Sequence, residues 1–76
     1  MSEPTETLDA TGLMCPLPVL KARKVLGGLA SGSLPRVLST DPASVIDVPH
    51  FCQESGHQLI AQRQLDGIFH FDIRRK

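Results

Sequence analysis

The chain has 76 residues and a mass of 8.3 kDa, room for one small hydrophobic core and no second domain. Eight Lys and Arg residues balance eight Asp and Glu residues, a formal net charge of +0, which argues against a globally basic nucleic-acid binder and against an acidic disordered tail. Hydrophobic residues make up 41% and charged residues 21%, the balance of a folded soluble protein, and no apolar run approaches the ~20 residues of a membrane span.

Residues 1–6 are polar and read as a disordered tail rather than a secretory signal, leaving 7–76 as a single domain. Thr7–Ala10 is a short strand, followed by a connector in which Gly12 can take a positive φ. Cys15-Pro16-Leu17-Pro18 then marks a helix start, because proline is tolerated in a first helical turn, where its missing N–H is not needed. Val19, Ala22, Leu26 and Leu29, with Val25 beside them, recur at helical spacing. Lys21 and Lys24 lie off that stripe, and Gly27-Gly28 weakens a helix that Gly32 stops.

Leu34–Ser39 is a second strand. Asp41-Pro42 reads as an N-cap and first residue of a second helix that carries Val45, Ile46, Val48, Phe51 and Cys52 and ends at Ser55-Gly56. Pro49 is expected to kink that helix or to restart it. Asp66-Gly67 marks a hairpin. A two-residue loop would set Gln62 against Phe71 and Gln64 against Phe69, mixing polar and apolar partners; a three-residue loop, Leu65–Gly67 with Gly67 as bulge, is preferred, because it pairs Ala61 with Phe71 and Leu59 with Ile73 and collects the apolar residues on one face. The order is β-α-β-α-β-β. The expected fold is an α/β (α+β) two-layer sandwich, a four-stranded mixed sheet with two helices on one face and an open polar sheet face.

The chemically informative feature is a thiol at a helix start. Backbone N–H groups and the helix dipole there favour negative charge, and Lys21 and Lys24 one and two turns on add positive potential. A thiolate at Cys15 is therefore expected, with Pro16 and Pro18 stiffening its turn. The competing reading is a buried, inert cysteine, the commoner fate of free thiols. That competing reading suits Cys52, mid-helix beside Phe51 with no capping role. Metal binding is not expected: there is no Cys-x-x-Cys, and no closely spaced histidine pair on one helical face. Paired acids for hydrolysis, a Gly-x-Ser-x-Gly elbow and a phosphate-binding glycine loop are also absent. The absence of a signal segment points to free thiols in a reducing cytoplasm.

The run from Leu8 to Pro18, with its Cys-Pro-x-Pro core, resembles the signature of the TusA/SirA-like sulfur-carrier family. The likeness continues through Asp41-Pro42-Ala43, Asp47-Val48-Pro49, Phe51-Cys52 and Asp66-Gly67 to Arg74-Arg75-Lys76, and in the second half it is to the TusA branch. The resemblance implies the same β-α-β-α-β-β sandwich. It also implies a persulfide carrier of sulfurtransferase type rather than a stand-alone enzyme, with Cys15 as its catalytic residue. A cysteine desulfurase, which holds the pyridoxal phosphate, would supply the sulfur. A downstream relay protein would accept it, for 2-thiouridine at the tRNA wobble position. The carrier itself needs no cofactor. Met14 stands where relatives have arginine, and Thr40-Asp41 where many have two acids. Met14, Lys21 and Lys24 are the expected partner-docking residues, electrostatics setting rate and orientation.

Two rival readings remain. An RNA- or protein-binding regulatory module would use the open sheet face, but balanced charge and the lack of Trp and Tyr argue against direct tRNA contact. A thiol redox protein would pair Cys15 with Cys52, which requires sulfurs in bonding reach.

Overall fold

A computed structural model describes residues 4–76. Its elements are β1 (Glu6–Ala10), α1 (Leu17–Gly27), β2 (Pro35–Ser39), α2 (Ser44–Ser55), β3 (Gln58–Leu65) and β4 (Ile68–Arg74). The sheet order is β1-β2-β4-β3, with β1 and β2 parallel and the other neighbours antiparallel. This is the expected four-stranded mixed sheet and element order.

One apolar cluster joins the layers: Leu8 of β1, Val37 of β2, Phe71 and Ile73 of β4, Ala22 and Leu26 of α1, and Val48, Phe51 and Cys52 of α2. Both helices therefore cover the same sheet face. The α1 stripe packs as its period predicts, with Ala22 and Leu26 buried, Val19, Val25 and Leu29 partly so, and Lys21 and Lys24 exposed. On the other face Arg36 and Asp72 are directly opposite on β2 and β4 and form an ion pair at 2.7 Å, which holds the Asp72 carboxyl below its ordinary range.

Several boundaries differ from expectation. β1 begins at Glu6, inside the segment read as a tail, because Thr5 N–H donates to the Leu34 carbonyl at 2.9 Å and Leu34 N–H to Thr5 Oγ1 at 3.0 Å. Residues 1–3 lie outside the described residues. α1 ends at Gly27 with Gly28 as its cap, well short of Gly32. Asp41 does not cap α2 directly. Its carboxylate accepts the Ala43 N–H at 3.1 Å and its carbonyl accepts from Ser44, so a turn over 41–43 precedes the helix. Pro49 does not restart α2, which runs through it to Ser55 as one element. Proline forfeits one ladder bond there, while Val48, Phe51 and Cys52 anchor the same turns in the core.

The hairpin register is the main correction. The loop has two residues, with Leu65 opposite Ile68, and both Asp66 (φ 51) and Gly67 (φ 78) are left-handed, as a type I′ turn requires. Ala61 therefore faces Asp72, not Phe71, and Gln62 and Gln64 stand opposite Phe71 and Phe69. Leu59 still meets Ile73, because a register shift between Leu59 and Ala61 absorbs one residue.

Candidate functional site

Parallel β1 and β2 deliver the starts of both helices to one end of the sheet, so the β1–α1 and β2–α2 loops lie side by side. They are stitched together. Gly12 N–H donates to Thr40 Oγ1 at 2.9 Å, and Cys15 N–H donates to the Asp41 carboxylate. Gly12 has φ +81, which lets the chain turn from β1 towards the cysteine. Lys21 Nζ donates to the Asp9 carbonyl at 2.7 Å, tying α1 back to the end of β1.

Cys15 lies two residues before α1, with Pro16 as N-cap and Pro18 in the first turn; the Cys15–Pro16 peptide is cis. Its thiol is exposed, as the helix-start reading requires, whereas Cys52 is 3% exposed in the core and its thiol is pushed up to about 11 by burial. Both cysteines are free.

The electrostatics at Cys15 are the reverse of the expectation. Sγ donates a hydrogen bond to Asp47 Oδ2 at 2.9 Å. The thiol is held above its ordinary value, first by that bond, then by some loss of solvation, then by the negative charge of Asp47 and Asp41. The same prolines that stiffen the turn explain why the helix start does not compensate. Pro16 and Pro18 have no N–H to offer, and the Leu17 N–H is already bonded to the Met14 carbonyl at 2.8 Å. Lys21 is held at Asp9, away from the sulfur.

The thiol stands at one end of a groove of about 680 Å³ between α1 and α2. Val19, Gly27 and Phe51 are among its apolar lining, and Arg23, His57 and Arg75 among its polar lining. The Arg23 guanidinium lies 5.8 Å from the Phe51 ring centre, and the Phe51 and His57 rings are tilted at 5.7 Å. Arg75 Nε donates to the Leu26 carbonyl at 2.8 Å, fastening the C-terminal segment to α1. Burial and the charges of Arg75 and Lys76 hold His57 below its ordinary value, and its Nδ1 accepts the Lys76 N–H at 3.2 Å. Exposed Met14 (74%), Leu17, Leu20 and Ile46 (75%) belong to the same two loops and helix starts.

Of the expected docking residues, Met14 is exposed next to the thiol, while Lys21 and Lys24 are exposed on α1 outside the groove. Sequence reasoning missed Asp47 as the thiol's partner, and Arg23, His57 and Arg75 as groove residues. Among the described residues no group of three or more His, Cys, Asp or Glu side chains is placed to hold a metal ion, and no helix is long and apolar enough to cross a membrane.

The family model described as "Sulfurtransferase TusA" matches residues 6–75. The sulfur carrier protein TusA of Allochromatium vinosum is 41% identical over 75 residues, covering 99% of each chain. That of Pseudomonas putida strain GB-1 is 44% identical over 73 residues, covering 96% of this chain and 91% of the relative. Among solved structures, the SirA-like protein of Desulfitobacterium hafniense superposes with a TM-score of 0.81 at 30% identity, over 91% of this chain and 95% of that one.

Proposed function

The chain belongs to the TusA sulfurtransferase family, and from that premise we propose that it carries sulfur as a persulfide on Cys15. A cysteine desulfurase is the donor, a downstream relay protein the acceptor, and 2-thiouridine at the tRNA wobble position the end product. The observation that carries this reading is the contrast between the two thiols. One stands exposed at the mouth of a groove, on a loop stitched to its neighbour; the other is sealed in the core.

In the loading step Cys15 Sγ attacks the outer sulfur of the donor's persulfide. A new S–S bond forms to Sγ, the donor's S–S bond breaks, and the donor's inner sulfur leaves as a thiolate. The proton lost by Sγ balances that leaving charge. The moving sulfur keeps its oxidation state, so no external oxidant is needed. Unloading is the same exchange with the acceptor's thiolate as nucleophile. A carrier of this kind needs no resolving cysteine beside it, which would expel the sulfur as a disulfide.

The pathway is tested in a strain lacking its own sulfur carrier. Expression of this chain is expected to restore 2-thiouridine in bulk tRNA, measured by mass spectrometry of nucleosides, and Cys15→Ser to leave it at the deficient level. Restoration by Cys15→Ser, or none by the unaltered chain, contradicts the assignment to tRNA.

A further inference from the structure

The hydrogen bond from Sγ to Asp47 has a consequence for the direction of sulfur flow. We propose that Asp47 is a positioning residue that favours the unloaded thiol over the loaded persulfide, so that the carrier surrenders its sulfur readily; this rests on the carrier reading above.

The unloaded thiol carries a hydrogen, and Asp47 Oδ2 at 2.9 Å accepts it. Loading removes that donor, since Sγ is then bonded to carbon and to the outer sulfur. The outer sulfur sits ~2 Å beyond Sγ, so it stays close to the same carboxylate. A persulfide is a stronger acid than its parent thiol, because the adjoining sulfur withdraws electron density and the terminal S–H bond is weaker. At neutral pH the loaded side chain is therefore an anion beside Asp47, with Asp41 held against the Cys15 backbone on the adjoining turn. Loading exchanges an accepted hydrogen bond for repulsion between like charges.

The cations of the groove do not cancel this. Arg23 lies over the Phe51 ring and Arg75 is bonded to the Leu26 and Lys76 carbonyls; outside the groove, Lys21 is at the Asp9 carbonyl. His50 of α2 is 3.5 Å from Glu54, and beyond α2 the Lys76 N–H donates to His57 Nδ1. Asp47 is the charged group that touches the sulfur.

At pH 7.5 the exchange is Cys15–SH + R–S–S⁻ → Cys15–S–S⁻ + R–SH: one S–S bond forms, one breaks, the negative charge moves with the outer sulfur, the proton passes from Cys15 to R–S⁻, and no sulfur is oxidised or reduced overall. The test equilibrates the full chain with glutathione persulfide and glutathione at a fixed ratio and reads the loaded fraction by intact mass. Asp47→Asn is expected to raise the exchange constant about fivefold at pH 7.5, the order of one unit charge a few ångströms away in water. Asp47→Glu, which keeps the charge, is expected to stay near wild type. The Asn-to-Asp difference narrows as pH falls and the persulfide anion takes up a proton. In parallel, Asp47→Asn alkylates faster at Cys15 in the free chain, by about threefold for each tenfold gain in thiolate, since intrinsic nucleophilicity falls as acidity rises. Equal loading of Asp47→Asn and wild type overturns the proposal, as does an Asp47→Glu chain that behaves like Asn, even if alkylation accelerates. Failure of the carrier reading itself shows separately, as a wild-type chain that takes no sulfur from a desulfurase.

Discussion

Phe71→Ala is expected to destabilise the domain by about 3–5 kcal/mol, the cost of removing a fully buried ring and leaving a partly collapsed cavity. Phe71 is 0% exposed on β4, one of the two inner strands of the sheet, opposite Val37 on one side and Gln62 on the other. It belongs to the cluster that joins the sheet to both helices. A domain of 76 residues has a total stability of about 4–11 kcal/mol, so this change removes a large share of it. Urea denaturation followed by circular dichroism measures the loss. A midpoint shift corresponding to less than about 1.5 kcal/mol would place the ring outside the core and undo the register given for β4.

The second large effect is selectivity between the thiols. Under native conditions at pH 8, iodoacetamide is expected to add to Cys15 and leave Cys52 untouched. Cys52 is 3% exposed, and with its thiol pushed up to about 11 only about a thousandth of it is ionised at that pH. In denaturant both should react. The Cys15 rate should continue to climb as pH rises past the ordinary thiol value, because Asp47 and Asp41 hold its thiol above that value. Peptide mapping after timed alkylation reads both. Comparable labelling of Cys52 in the native state, or a Cys15 rate already level near pH 7, contradicts this picture.

The selectivity agrees with the sequence, whereas the raised Cys15 thiol runs against it. Charge counted along the chain from Cys15 onwards meets Lys21, Arg23, Lys24 and Arg36 before the first acid, Asp41. Charge counted in space places Asp41 and Asp47 beside Cys15, 26 and 32 residues away, because two parallel strands bring both helix starts to one edge. The signal was present in principle. A β-α-β-α order already sets the loops after β1 and β2 side by side, and the two prolines already remove two of the amides a thiolate could use.

The element order, the α1 stripe and the exposed position of Cys15 were legible, since each rests on local periodicity or local caps. The hairpin register was not. Alternation across Leu59–Ile73 suggested a three-residue loop, while Asp66-Gly67 favoured a two-residue one. The structure reconciles them with a register shift between Leu59 and Ala61 that no residue pattern announces. Asp41 was read as a cap and also serves as the acceptor for the Cys15 amide, a tertiary contact outside the reach of local rules.

Every step of the proposed relay passes through a sulfur carried at position 15. The most direct measurement is the intact mass of the chain after incubation with a cysteine desulfurase and L-cysteine. A reducible gain of one sulfur, about 32 Da, is predicted for wild type and for Cys52→Ser, and none for Cys15→Ser. An equal gain on Cys15→Ser, or no gain on wild type, would contradict it.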